Sequence, residues 1–342
     1  MNNSQLKLSI LDQVYIRKNS TATEALKETT DLAIFADQLG YTRFWVSEHH
    51  NFPSLASPAP EILIAHLADH TQNIRVGSGG IMLPNHSTLK MAENFKLLVS
   101  LFPGRIDMGI GRAPGTDRFT ASLLNPSNTF SEQNFIEQLY HLEAFFQNIK
   151  KEGTLFEKVQ AIPITHNIPE LWLLSSSGES AMFAAHFGMK LSFAHFINGN
   201  GGEKAIQSYK EQFRPSQNLS NAKANVAIFA FCSEDEKAIH RNEAIMDFRF
   251  IQLERKNGNF NAVTYNDIKN EIYSSYEKER IMANRKRMIF GTPKKIKNDI
   301  EKLASDYGLE EIMLITYAEN KEERFNSYKL LADIFFNNKR NW

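Results

Sequence analysis

The chain has 342 residues, 42% of them apolar, with Lys plus Arg and Asp plus Glu balanced at 39 each. That apolar content suffices for a large core and excludes a disordered chain. The zero net charge, with Arg285-Lys286-Arg287 the one short basic run, leaves no electrostatic footprint for nucleic acid or a membrane surface. Cys232 is the sole cysteine, so no internal disulfide can form, and its apolar neighbours predict a buried strand end. The polar start Met1-Asn2-Asn3-Ser4-Gln5 and the lack of any apolar run near the roughly 18 residues of a membrane span predict a cytoplasmic protein without a signal peptide.

Taken in chain order, short β-like runs alternate with helical patterns. Leu6 to Leu11 is a first strand. Thr21-Ala-Thr-Glu24 has capping-box spacing and opens a helix that Gly40 closes. Arg43 to Ser47 is a second strand, Pro60 to Asp69 a helix, Ile74 to Ser78 a third strand, and Ser87 to Leu101 a helix halted by Pro103-Gly104. Arg105 to Ile110 is the fourth strand. A polar, turn-rich stretch from Pro114 to Ser131 leads into a helix ending near Lys151. Strands at Leu171 to Leu174, Lys190 to Ala194 and Ala224 to Phe231 then alternate with helices at Ser180 to Phe187, Gly202 to Phe213 and Glu234 to Phe248. Residues from about Arg249 to Gly291 are Asn-rich and weakly patterned and read as an irregular insertion. Pro293 opens a further helix, Glu311 to Thr316 is the last strand, and a helix closes the chain.

Eight strands separated by helices demand parallel pairing with right-handed crossovers. Their number favours a single α/β domain over residues 1–342, a (β/α)8 TIM barrel with insertions, over an open doubly wound sheet. In a barrel the residues that follow each strand gather at one face, where active sites lie.

Four such segments stand out. Ser47-Glu48-His49-His50-Asn51 follows the second strand, and a histidine there can serve as a general base because its ordinary pKa lies near neutrality. Val76-Gly77-Ser78-Gly79-Gly80 ends the third strand, where glycines admit either a flat ring against the backbone or a plain tight turn. Gly109-Ile110-Gly111-Arg112-Ala113-Pro114-Gly115 fails the dinucleotide fingerprint, since its last glycine is one residue late and Pro114 interrupts the following helix. What it does present is Arg112, a bidentate partner for phosphate. Ser175-Ser176-Ser177-Gly178-Glu179-Ser180 offers hydroxyls and free N–H groups at a helix start, which suits anion binding or simple N-capping. His66 and His70 have metal-ligand spacing, but they sit on an outer helix without an accompanying glutamate, so no metal site is expected. His195, just after the sixth strand, is expected to line the pocket.

Phe44-Trp-Val-Ser-Glu-His-His-Asn51, Arg75-Val-Gly-Ser-Gly-Gly-Ile-Met-Leu-Pro84 and Pro103-Gly-Arg-Ile-Asp-Met-Gly-Ile-Gly-Arg-Ala-Pro-Gly-Thr-Asp117, in that order, resemble the luciferase-like flavin-dependent monooxygenases, whose best-known member is the bacterial luciferase alpha subunit. The resemblance implies reduced FMN and O2 oxygenating a small organic substrate through a flavin peroxide, with the flavin supplied by a separate reductase and the chain acting as a homodimer. By position it implies His49 as the catalytic base and a cis peptide at Gly79-Gly80 against the flavin ring, beside Ser78. It also implies Arg112 with Ser176, Ser177 and Ser180 around the flavin phosphate, and Glu48, His50, Asp117 and His195 near the substrate. The chain departs from luciferase in carrying Ser176 for an acidic residue and His195 for a tryptophan. An F420-dependent oxidoreductase of the same superfamily, or a non-catalytic flavin-binding protein, are the alternatives; a metal-dependent barrel hydrolase would need a ligand cluster that the sequence does not offer.

Overall fold

A computed structural model describes residues 6–255 and 262–336, and the first five residues fall outside them. Nine strands are present: β1 (Lys7–Asp12), β2 (Arg43–Val46), β3 (Arg75–Met82), β4 (Ile106–Gly111), β5 (Glu170–Ser175), β6 (Lys190–Ala194), β7 (Ala224–Cys232), β8 (Met288–Gly291) and β9 (Glu311–Ile315). Eight of them form a closed parallel ring in the order β1-β2-β3-β4-β5-β6-β7-β9, with β9 returning to β1. Helices flank the ring, so the expected (β/α)8 barrel is the fold. The outer helix from Ala22 to Leu39 starts at the Thr21–Glu24 capping box and ends at Gly40 in the left-handed region (φ 87°), as its end residues require.

Strand alternation sorts the interior into three layers, read from the pairing register. The lowest layer carries charge. Buried Arg43 donates to Asp107 (2.5 Å) and Glu311 (2.7 Å), Arg75 reaches Asp107, and Lys190 pairs with Glu170. Ser9 and Asn225 complete the shell of Glu311. Burial raises the Glu311 carboxyl, but the Arg43 guanidinium more than offsets this and the net shift is downward. The middle layer is bulky on two sides, with Trp45 and Trp172 meeting edge to face at 5.3 Å. Its other sides are correspondingly small. A Cβ at Gly77 would sit 2.6 Å from the Asp107 Cβ and 2.9 Å from the Trp45 indole nitrogen, and one at Gly79 would sit 2.7 Å from Leu11. The glycine-rich end of β3 is therefore extended strand making room for Trp45, not the tight turn that its composition also allowed. The top layer is lined by small side chains and leaves a hollow.

A second core lies between strands and helices, built from the outward residues of the same strands, such as Leu8, Ile10, Phe44, Val46 and Val76. Cys232 closes β7 buried, where burial pushes its thiol up to about 12 and makes it inert.

Two expectations are corrected. The stretch 249–291 is not an irregular insertion wherever it is described. The Glu236–Glu254 helix runs six residues past its expected end, short helices cover Tyr265–Ile268 and Ser275–Asn284, and β8 pairs with the end of β7; residues 256–261 lie outside the described part. β8 escaped notice because four residues are too few to establish alternation. Within the turn-rich stretch from Pro114 to Ser131 there is likewise one short helix, Arg118–Leu124, capped by Asp117. No helix among the described residues is long and apolar enough to cross a membrane.

Candidate active site

The residues that leave the C-terminal ends of the strands enclose two adjoining chambers of about 250 and 340 Å³ that share Gln13, His49, Phe196 and Ile197 as a common wall. The first chamber is centred on the barrel axis. Its floor is Leu11, Trp45 and Met313; Gly79, Gly111, Ala113, Gly115 and Ala194 supply much of its side wall. The strand order β2-β3-β4-β5 sets His49, Gly79, Arg112 and Ser176 in succession around the rim.

His49 stands just beyond β2, its backbone N–H held by the Ser57 carbonyl at 3.0 Å and its Nδ1 3.0 Å from the Ser47 hydroxyl. Nε2 has no partner among the described residues and is the ring nitrogen available to the chambers. Burial lowers the imidazole to about 4, against the opposing pull of Glu48, so the ring is neutral at ordinary pH. A reaction that uses neutral His49 is therefore expected to keep its kcat/KM from pH 8 down to pH 6 and to lose it only as the pH nears 4. An acid limb centred at 6.5 in a pH-rate profile would contradict that environment.

Glu48 is fully buried and works as the hub of the rim. It accepts from His50 (2.8 Å), His86 (2.9 Å) and the Met82 N–H (2.9 Å), tying the turn after β2 to the end of β3. Burial raises its carboxyl, but the His50 and His86 contacts reverse this and bring it below the usual range. Its backbone oxygen lies 3.0 Å from where a Cβ at Gly115 would be, which lets the loop after β4 fold against it.

Arg112 lines the first chamber and, in the free protein, its Nη2 donates to Glu179 at 2.5 Å. Glu179 opens the Glu179–Phe187 helix, whose N-cap residue, Gly178, offers no side-chain acceptor to the first N–H groups. Ser176, Ser177 and Ser180 line the cavity beside that helix start. One cation and a helix start without a side-chain cap thus border the same part of the chamber, an arrangement suited to an anion.

Of the remaining sequence-selected residues, only Gly79 lines the first chamber. The Gly79–Gly80 peptide is cis, with Gly79 on the cavity wall and Gly80 packed behind it on Leu174 and the Gly109 carbonyl. Ser78 turns outward and donates to the Gly109 carbonyl at 2.9 Å. His50 is spent on Glu48. Asp117 caps its helix through Thr120 and accepts from Asn51 at 3.0 Å. His195 lies outside both chambers, with Nδ1 2.9 Å from the Tyr307 hydroxyl and Nε2 2.8 Å from the Lys286 carbonyl. Its two nitrogens tie the end of β6 to the end of the Pro293–Tyr307 helix and to the segment that leads into β8. His66 bonds Thr30 and His70 bonds the His66 carbonyl on the outer face, and no group of three potential metal ligands occurs among the described residues.

Sequence reading passed over several wall residues. Gln13, Phe196 and Tyr317 each follow a strand, so the strand-end rule would have found them. Arg249 sits inside a helix and Arg287 ahead of an unrecognised strand, and neither position carries a local signal.

A closed parallel barrel whose C-terminal rim carries an arginine beside a helix start, a small-walled slot and a neutral histidine has the layout of a barrel enzyme. The chain belongs to the luciferase-like monooxygenase family, whose model matches residues 6–310. It is 41% identical over 330 residues to the uncharacterized protein YwcH of Bacillus subtilis (strain 168), covering 96% of this chain and 99% of that one. It is 32% identical over 339 residues to the N-acetyl-S-alkylcysteine monooxygenase of the same organism, covering 98% and 100%. Among solved structures, apo-MsnO8 superposes with a TM-score of 0.88 at 31% identity, over 96% of this chain and 98% of that one.

Proposed function

We infer that this protein is an oxidoreductase that uses reduced FMN and O2 to oxygenate a small organic substrate. The observation that carries the reading is the first chamber itself, in which a slot walled by glycine and alanine ends at Arg112 and the open start of the Glu179–Phe187 helix. A flat ring with an anionic tail has that shape and charge distribution. The residues fit the group: a Cβ at Gly79 would collide with Leu11 and Trp45, so the β3 backbone faces the chamber bare at that point. Reduced flavin, when bound, supplies the electrons that activate oxygen.

The chain's own residues do the rest. Arg112 would give up Glu179 to hold the phosphate, with Ser176, Ser177 and Ser180 offering hydroxyls and N–H groups beside it. Gly79 lets the ring lie on the β3 backbone. His49, neutral and held at Nδ1 by Ser47, takes or returns a proton at Nε2 on the wall between the two chambers. Trp45, Leu11 and Met313 keep water out from below. The relative named for N-acetyl-S-alkylcysteine supports a small organic substrate. A separate flavin reductase would deliver the cofactor, and the cytoplasm is the compartment proposed. Pairing into a homodimer is supported by Ile62, Leu97 and Leu101, which are 70%, 52% and 58% exposed on two touching outer helices.

Arg112→Ala is expected to weaken FMN binding by roughly 10- to 100-fold, the value of a charge-assisted contact. Glu179→Gln, which frees the arginine from an exposed ion pair, should tighten it by roughly two- to fivefold. Quenching of flavin fluorescence reads both. The function is tested by titrating oxidised and reduced FMN against F420, then measuring oxygen uptake by the reduced complex with candidate substrates. Tight F420 binding without oxygen uptake would replace this reading with hydride transfer.

A further inference from the structure

The second chamber has a composition that the flavin reading leaves unused. Phe52, Phe196, Phe229 and Phe250 make it apolar, yet two guanidinium groups, Arg249 and Arg287, also line it. Among the described residues that line it there is no aspartate or glutamate to match them.

Each arginine is fixed in place without being neutralised. Arg249 projects from the Glu236–Glu254 helix and lies over the Tyr15 and Tyr317 rings, 3.9 and 4.1 Å from their centroids. Stacking holds the plane of the guanidinium but uses none of its N–H donors, which find no acceptor among the described residues. Arg287 lies 4.0 Å over Phe250 and donates Nε to the Phe196 carbonyl and Nη1 to Asn284, so one terminal nitrogen is left over. Burial pulls Arg287 down to about 10, and it remains charged at neutral pH. Glu254, the carboxylate that acts on Arg287, is already committed to Arg280 and Asn284 and does not line the chamber. Two half-buried cations with spare, oriented donors in an apolar room are costly unless an anion visits them.

We propose that the second chamber binds the substrate and that the substrate is a carboxylate with an apolar limb, its carboxylate held by Arg249 and Arg287. The inference rests on the reading of the first chamber as the flavin site, because it makes the shared wall at His49 the place where the two ligands meet. With the carboxylate anchored at the arginines, the limb lies along Phe229 and Phe196 and points its far part toward His49 and Gln13. The guanidinium planes are set before binding, so selection acts on the head group, while the aromatic walls tolerate variation in the limb.

The test is calorimetric titration of the full-length protein, with and without bound FMN, with 4-phenylbutanoate and with 4-phenylbutanamide, which keeps the limb and removes the charge. The acid is expected to bind at least about tenfold more tightly than the amide, as hydrogen bonds to a charged group require. Arg249→Gln should shrink that difference by weakening the acid alone, Arg249→Lys should keep more of it, Arg287→Gln should act independently in the same direction, and the double variant should erase it. Equal affinity for acid and amide, equal weakening of both by Arg249→Gln, or binding of neither would overturn the proposal. Flavin fluorescence in the same samples separates the two readings. A protein that takes FMN but ignores the head group loses only the carboxylate assignment, whereas one that selects the acid but refuses FMN loses the flavin site.

Discussion

Replacing His49 by alanine is expected to lower turnover at saturating reduced FMN by about 100- to 10,000-fold, the usual worth of a positioned proton-transfer group. FMN affinity should change by less than about threefold, because Arg112, the phosphate partner proposed above, lies two strands away around the rim. The split between the two readouts is the informative part. His49 borders both chambers and bonds only Ser47 through its ring, so its removal leaves the Glu48 hub and the barrel floor intact. Oxygen uptake should become uncoupled from product, since cofactor and oxygen still meet. Turnover surviving in the alanine variant at more than about a tenth of the original rate would remove His49 from the proton path. Ser47→Ala, which frees Nδ1 without removing the ring, should fall between the two.

Arg43→Met is expected to destabilise the fold by about 3–5 kcal/mol, since it strands buried Asp107 and Glu311 without their shared cation. In a chain of this size that corresponds to a melting temperature lower by roughly 4–7 °C. The effect has a predictable pH sense. Arg43 holds the Glu311 carboxyl below its ordinary value, so the stabilisation is present above the unfolded carboxylate range and is lost as the pH falls through the folded one. The gap between wild type and Arg43→Met should accordingly narrow in acid, and thermal melts at neutral pH and near pH 4 would measure it. A constant gap would mean that Arg43 acts through its packing on Trp172, whose ring it covers at 4.7 Å, and not through charge.

These two positions divide the barrel into a part that stabilises and a part that reacts. Arg43 and His49 leave the same strand, six residues apart, yet one seals the bottom of the ring and the other opens its top. The charged bottom layer confines ionisable groups where each has a fixed partner. The upper end leaves Nε2 of His49 and the spare donors of Arg249 and Arg287 without a partner among the described residues, and such groups are the ones free to meet a ligand.

The sequence alone determined the ring. Eight alternating strand and helix signals, the capping box at Thr21–Glu24 and the glycine stops are local, and local chemistry decides where elements begin and end. It also determined that His49, Gly79, Arg112 and Ser176 would share a rim, because every residue that follows a strand of a parallel barrel emerges at the same end. Which way each side chain turns was decided only by tertiary packing. Ser78 and His50 are adjacent in sequence to cavity residues, but alternation and the Glu48 hub direct them elsewhere, and His195 follows its strand only to be clamped by Tyr307 and Lys286. The second chamber was illegible for the same reason. Its walls come from the segments after β1, β2, β6 and β9, from β7, a helix interior and the segment before β8, segments far apart in the chain whose meeting is set by the closure of the ring.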